Sequence, residues 1–315
     1  MAGDGHRRPK PPPDRGRPPR PAPLRRYGQN HLVDANVLAA IVKQADVRPD
    51  DVVLEVGAAD GLLTRPLLER ARLVHAFEVD RRFSGRLERL AAEEPGLRLH
   101  VGDALKARLD ELDPVPTALV ANLAYNIAIP LVMTTVAEVP SVSRWAVMLQ
   151  KELGERLFAA PGTKAYAAVS VLTQLACELE RARPVARSAF RPRPNVDSAF
   201  VTFTRRAAAA NGTWHVGAQR LDRGGYAAVG GLVRRAFAQR RKQLGTSLSG
   251  AAHGAPAAPP AGEPGAAALA GHVVARADIA RALETAGASV TARPEELAPA
   301  QWLTFARALG WLAPA

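Results

Sequence analysis

Between residues 48 and 206 the chain alternates short, nearly unbroken apolar runs with longer stretches in which apolar residues recur every three or four positions. The runs predict strands at 52–56, 73–79, 97–101, 118–121 and 145–149, with later extended segments at 178–185 and 198–204. Strands alternating with helical stretches imply crossover connections and a parallel sheet, hence an α/β class. Most of the runs end at Gly, Asp, Glu or Asn. In an open α/β sheet the carboxyl ends of the strands are where ligands bind, so polar residues there are candidates for chemistry.

Beyond residue 206 the pattern changes. An alanine-rich stretch at 207–212 leads into a region read as helical, with helices expected at 232–248, 275–286 and 299–312. The first carries Arg234, Arg235, Arg240, Arg241 and Lys242 around an apolar stripe of Val233, Phe237 and Leu244. A run of Ala, Pro and Gly at 250–271 reads as a flexible insertion. The expected organisation is a basic arm at 1–26, an α/β domain at 27–206 and a small helical domain at 213–315.

Charge adds a partner to this outline. The formal net charge is +12, with 42 Lys or Arg against 30 Asp or Glu. Such a balance favours a polyanion, because phosphate contacts release counterions. Residues 1–26 hold eight Arg or Lys against two Asp, together with eight prolines. That composition cannot bury enough apolar surface to fold alone, so the arm is expected to be disordered and to touch RNA. The five basic residues of the 232–248 helix are candidates to grip phosphates. No apolar run approaches the roughly 20 residues that a membrane helix needs, and a cytoplasmic setting is expected. The single cysteine, Cys177, lies in an apolar stretch and reads as a buried hydrophobe. Seven scattered histidines give no zinc spacing, so no metal is expected.

Glu55-Val56-Gly57-Ala58-Ala59-Asp60-Gly61 joins a strand to a helix, where glycines let the backbone approach a ligand. Glu78 follows Gly57 by 21 positions at the end of the next strand, where a carboxylate can accept both hydroxyls of a ribose. Asp103 ends the third strand, as a helix cap or as a reader of an adenine edge. These residues leave hydride transfer and methyl transfer equally open. Asn122-Leu123-Ala124-Tyr125, at the fourth strand end, places a carboxamide, a backbone carbonyl and an aromatic ring where a reacting group would lie.

That segment resembles the N-L-P-Y motif of the ribosomal RNA adenine dimethyltransferase family. Residues 27–34 (Tyr-Gly-Gln-Asn-His-Leu-Val-Asp), 148–152 (Met-Leu-Gln-Lys-Glu) and 190–198 (Phe-Arg-Pro-Arg-Pro-Asn-Val-Asp-Ser) resemble further family motifs, in order. The run from Ala159 to Tyr166 and Gln239-Arg240-Arg241-Lys242 are similar to the small-subunit branch.

The resemblance implies a Rossmann-like class I methyltransferase sheet with a small C-terminal helical domain. It further implies S-adenosylmethionine as cofactor and, as substrate, two adjacent adenines near the 3′ end of 16S ribosomal RNA in the small subunit. A monomer without membrane attachment is expected. Family cofactor contacts carry over to Asn30, Leu32, Gly57, Glu78, Asp103 and Asn122. Asn122 and Leu123 would hold the target amine, and Tyr125 and Phe190 would stack on the base. Two residues depart from the family: Ala59 stands where glycine is usual, and Ala124 where proline is usual. A methyl at Ala59 opposes a positive φ, and Ala124 loses the fixed φ that aims the Leu123 carbonyl. The alternatives are a large-subunit (23S) adenine methyltransferase conferring macrolide resistance and an RNA-binding assembly factor without catalysis.

Overall fold

The structure is a computed structural model that describes Pro21 and residues 29–208, 212–249 and 274–312. The expected arm at 1–26 (Pro21 apart), Tyr27, Gly28 and the expected insertion at 250–271 lie outside the described residues.

The chain opens with β1 (His31–Leu32), α1 (Ala35–Gln44), β2 (Val52–Val56), α2 (Thr64–Leu68), β3 (Leu73–Glu78), α3 (Ser84–Glu93), β4 (Leu97–Val101) and β5 (Ala118–Asn122). It continues through α4 (Ala128–Glu138), β6 (Arg144–Gln150), α5 (Lys151–Leu157), α6 (Ala168–Ala176), β7 (Cys177–Val185), β8 (Phe190–Arg191) and β9 (Ser198–Arg205). The last part holds β10 (Trp214–Val216), β11 (Gln219–Leu221), α7 (Arg223–Ala238), α8 (Leu244–Ser247), α9 (Arg276–Thr285) and α10 (Pro299–Ala308).

Seven strands form one sheet in the order β4-β3-β2-β5-β6-β9-β7. The five from β4 to β6 are parallel, and β9 and β7 run antiparallel at the far edge. β2 is buried at every position, as a central parallel strand covered on both faces requires. The order reverses between β2 and β5, so their carboxyl ends diverge and open a crevice. The seven expected strands stand where the apolar runs placed them, and the α/β class of the sequence reading is borne out.

Arginines close several gaps in this frame. The Arg205 guanidinium bonds the carbonyls of Val142 (2.8 Å), Val136 (3.0 Å) and Val139 (3.2 Å) around the end of α4 and lies 5.1 Å from the Trp145 ring. A guanidinium can satisfy several orphan carbonyls at a helix terminus while stacking on an aromatic face. Arg144 pairs with Asp51, which also accepts from Thr117 (2.9 Å), tying β6 to the start of β2.

The C-terminal part differs from its sequence reading in two ways. It begins with the β10–β11 hairpin rather than with helix. The basic helix expected at 232–248 is α7, which starts earlier and ends at Ala238; a turn at 239–243 separates it from α8. Arg240, Arg241 and Lys242 therefore sit in a turn and not on a helix face. The cause is tertiary: Arg240 donates to the carbonyls of Lys164 (3.0 Å) and Thr163 (3.2 Å) and pairs with Glu295 (3.7 Å). Tyr166 hydroxyl to Leu297 carbonyl (2.8 Å) and Gly162 N–H to Glu295 carbonyl (2.7 Å) fasten the same loop to the C-terminal part. One apolar cluster runs through both parts, joining Leu172 and Leu175 of α6 to Val229, Leu232 and Trp302.

Candidate active site

A cleft of about 190 Å³ opens at the carboxyl ends of β2, β3, β4 and β5. Gly57, Glu78, Asp103, Asn122, Leu123, Tyr125, Phe190 and Asn30 all line it. The structure thus gathers eight of the nine residues expected at the cofactor and the target base. The ninth, Leu32, lines an adjoining cavity of about 40 Å³ that shares His31, Gly57, Ala59 and Asn122 with the cleft.

The loop after β2 is built from backbone. Gly57, Ala59 and Gly61 have φ of +86°, +50° and +79°. Ala59 therefore adopts the left-handed conformation despite its methyl, at a cost of roughly 1–2 kcal/mol. The conformation is held because Ala59 N–H donates to the Glu78 carboxylate (2.8 Å), while Gly57 and Ala58 N–H groups donate to the Phe77 carbonyl (2.9 and 3.2 Å). A Cβ on Gly57 would stand 3.6 Å from the Asn122 carbonyl oxygen, an ordinary contact, so it is the φ of +86° rather than space that favours glycine there.

Glu78 uses one carboxylate oxygen for Ala59 N–H and the other for Asp80 N–H (2.8 Å). Each oxygen keeps a further lone pair, so the side chain can still accept two hydroxyl donors. Burial pushes its carboxyl above the usual range. Asp103 accepts from Leu105 N–H (3.0 Å) and starts a 3₁₀ turn at Ala104–Lys106. It caps that turn and also lines the cleft.

On the β5 side, side chains and backbone are both held by hydrogen bonds. The Asn122 amide nitrogen donates to the Asn30 carbonyl (3.1 Å), which fixes the amide and turns its oxygen away from that contact. Leu123 N–H continues the sheet to the Met148 carbonyl (3.0 Å). Ile127 and Ala128 N–H groups donate to the Ala124 carbonyl (both 3.1 Å), closing the turn into α4. Tyr125 hydroxyl bonds Ser198 hydroxyl (3.1 Å), and burial raises its pKa, so the phenol is neutral.

Two features were not read from sequence. Glu55 on β2 is fully buried, with one carboxylate oxygen lacking a hydrogen-bond partner. Burial pushes it up to about 8, and neighbouring Glu78 and Asp60 act in the same direction, so at neutral pH it is protonated. An acid inside an apolar strand was the available signal. The second is the antiparallel pairing of β1 with β8, which ties His31 to Arg191 and Leu32 to Phe190. The N-terminal strap and the segment that brings Phe190 to the cleft are thereby one unit.

Of the expected phosphate-gripping residues, Arg234, Arg241 and Lys242 are exposed and Arg235 is half-buried. Arg240 is half-buried and occupied by the contacts to the 163–164 loop and Glu295. Among the described residues, no group of three His, Cys, Asp or Glu is placed to hold a metal. No described helix is long and apolar enough to cross a membrane.

A family model described as ribosomal RNA adenine dimethylase matches residues 24–259. A protein of Streptomyces coelicolor named ribosomal RNA small subunit methyltransferase A is 42% identical over 242 residues, covering 75% of this chain and 80% of that protein. A protein of Thermobifida fusca with the same name is also 42% identical over 242 residues, with the same shares covered. Among solved structures, the 23S rRNA methyltransferase ErmE is similar at 27% identity and a TM-score of 0.61, covering 89% of this chain and 100% of that one. A dimethyladenosine transferase from Plasmodium falciparum shares the fold at 22% identity and a TM-score of 0.67, covering 89% and 98%. With its methyltransferase sheet, its Asn122 to Tyr125 turn in the cleft and a match across most of its length, the chain belongs to the ribosomal RNA adenine dimethylase family.

Proposed function

We propose that the protein transfers methyl groups from S-adenosylmethionine to the exocyclic nitrogen of two adjacent adenines near the 3′ end of 16S ribosomal RNA, in the cytoplasm and as a monomer. The observation that carries this reading is the Asn122 amide, fixed by Asn30 at the end of β5, in a cleft that Tyr125 and Phe190 also line.

The residues present fit the cofactor. Glu78 has lone pairs for a ribose diol, Asp103 lines the cleft and would read an adenine edge, and the positive φ of Gly57 turns the loop along the cleft. Asn30, Leu32 and Asn122 would complete its contacts. When bound, the cofactor supplies an electrophilic methyl on a sulfonium.

The target nitrogen is a poor nucleophile because its lone pair is delocalised into the ring. Hydrogen bonds from its two N–H groups to the Asn122 amide oxygen and the Leu123 carbonyl would favour a pyramidal nitrogen with a localised pair, and would be stronger in the transition state than in the ground state. Its proton leaves readily after transfer, so no strong general base is required. The base must first leave its stack, and stacking on Tyr125 and Phe190 offsets the cost by about 1–3 kcal/mol. Asn122 and the aromatic pair also supply alignment, which converts binding into rate. Arg234, Arg235, Arg241 and Lys242 would hold phosphates at a distance from the cleft, with Arg240 fixing the turn that carries two of them.

The small-subunit reading is favoured over the large-subunit one by 42% identity to proteins named for the small subunit against 27% for ErmE. The test is transfer of labelled methyl groups to small ribosomal subunits lacking them. Wild type labels adenine; Asn122→Ala does not, while binding RNA as before. RNA binding without transfer by the wild type would favour an assembly factor.

A further inference from the structure

Beside the cleft stands a loop whose construction the methyl-transfer chemistry does not use. Residues 191–197 leave β8 and return to β9, and every one of them except Pro194 is exposed. The base of the loop is braced. Arg187 donates to the Asn195 carbonyl (3.2 Å) and pairs with Asp197 (3.0 Å), bridging the two ends. Lys151 N–H donates to the Asp197 carbonyl (2.9 Å), Val33 N–H donates to the Ala189 carbonyl (2.8 Å), and β8 is laddered to β1. Pro192 and Pro194 remove two N–H donors and fix two φ angles in the tip.

Arg191 and Arg193 are exposed on this braced loop, directly after Phe190, a residue that borders the cleft while its side chain is packed in the core with Leu32 and Phe83. Arg187 is neutralised by Asp197, whereas neither Arg191 nor Arg193 has an ion pair among the described residues. The Arg191 guanidinium donates to its neighbour's carbonyl, that of Phe190 (3.1 Å). Many other arginines of the chain are spent on architecture: Arg144 on Asp51, Arg205 on the end of α4, Arg240 on the 163–164 loop. Two exposed guanidinium groups without an ion pair among the described residues, on a braced loop that starts at the cleft-lining residue Phe190, have one evident use, because guanidinium groups bind phosphate with directional hydrogen bonds and a fixed loop limits the entropy lost on binding.

We infer that Arg191 and Arg193 grip RNA phosphates flanking the target adenosine, so that the loop holds the backbone while the base enters towards Tyr125 and Phe190. Arg187 is a positioning residue that keeps the loop braced. The inference rests on the proposed RNA adenine methylation and adds to it the residues that position the strand at the cleft. These are separate from the basic turn at 240–242, which lies across the C-terminal part.

The experiment compares wild type, Arg191→Glu/Arg193→Glu and Arg191→Lys/Arg193→Lys on small ribosomal subunits lacking the adenine methyl groups. It measures KM and kcat for methyl transfer, RNA affinity as a function of salt, and S-adenosylmethionine affinity. The Glu pair is expected to raise KM for the subunit about tenfold or more with kcat within about twofold, and to lower the slope of log K against log salt by about 0.7–0.9 per lost phosphate contact. Cofactor affinity stays unchanged, which shows the cleft is intact. The Lys pair keeps the salt slope, since charge is retained, and recovers the affinity in part, since an ammonium lacks the guanidinium's directional donors. An unchanged KM and salt slope in the Glu pair, a loss confined to kcat, or equal damage by Lys and Glu would each overturn the inference while leaving the proposed function standing. A wild type that transfers no methyl group to adenine overturns the proposed function, and this inference with it.

Discussion

The two loops that meet at the cleft solve opposite problems. The loop after β2 is shaped by backbone: three positive φ angles, and N–H groups turned onto the Phe77 carbonyl and the Glu78 carboxylate. The loop after β5 is shaped around side chains: Asn122 is locked by Asn30 and Tyr125 by Ser198. The first offers room and hydrogen-bond acceptors to a ligand that is the same in every turnover. On the proposed mechanism, the second brings an amide oxygen, a carbonyl and a ring to the target nitrogen, where charge changes during reaction. Errors in the first loop should therefore appear in cofactor affinity and stability, and errors in the second in rate.

The largest expected effect lies on the β5 side. Asn122→Ala should lower kcat by about 10²–10³, the loss seen when one donor or acceptor aimed at a developing charge is removed, with RNA affinity within about twofold. Single-turnover methyl transfer checks it, and an equal fall in RNA affinity would place Asn122 in binding rather than chemistry. Tyr125→Ala should reduce kcat/KM by about 5- to 150-fold, matching about 1–3 kcal/mol of stacking, while Tyr125→Phe keeps most of the activity. Loss of activity in Tyr125→Phe would instead assign weight to the hydroxyl and its bond to Ser198.

On the β2 side the effects are smaller and of a different kind. Glu55 is held neutral, its folded pKa pushed up to about 8 from an ordinary 4.5. The sign follows from linkage: the unfolded chain releases this proton first, so the protein loses stability as pH rises from about 4.5 towards 8. Glu55→Gln should be more stable than wild type at pH 8, with the advantage shrinking towards pH 5. Thermal unfolding without cofactor measures it, at about 2–4 °C per kcal/mol for a protein of this size. Smallest of all, Ala59→Gly should tighten cofactor binding slightly and change stability by less than about 1 kcal/mol, because relief at φ +50° is offset by greater freedom of the unfolded chain. Calorimetric titration with S-adenosylmethionine reads the first effect.

The same contrast explains what could be read from sequence. β2 to β6 stand out because strands buried on both faces are continuous apolar runs. The Gly57 turn and Glu78 were visible through spacing, and Asn122 to Tyr125 through its likeness to a family motif. Pairings of two residues leave no periodicity, so the β1–β8 ladder was invisible. The start of α7 at Arg223 is masked in the sequence because Gly224, Gly225, Gly230 and Gly231 dilute its apolar pattern, although Asp222 caps it through Gly225 N–H (2.7 Å). Its end was overrun because Val233, Phe237 and Leu244 keep a helical spacing across the turn that Arg240 pins from outside. Tertiary contacts between residues more than 70 positions apart cannot be seen in a local pattern.

The most direct test of the account is to incubate the wild-type protein and S-adenosylmethionine with small ribosomal subunits lacking the adenine methyl groups, and to map the product by primer extension. The predicted result is a stop at two adjacent adenines near the 3′ end of 16S RNA that is absent with Asn122→Ala. No stop in the small-subunit RNA, whether 23S RNA supplied in a parallel reaction is methylated or RNA is bound with no methylation at all, would contradict it.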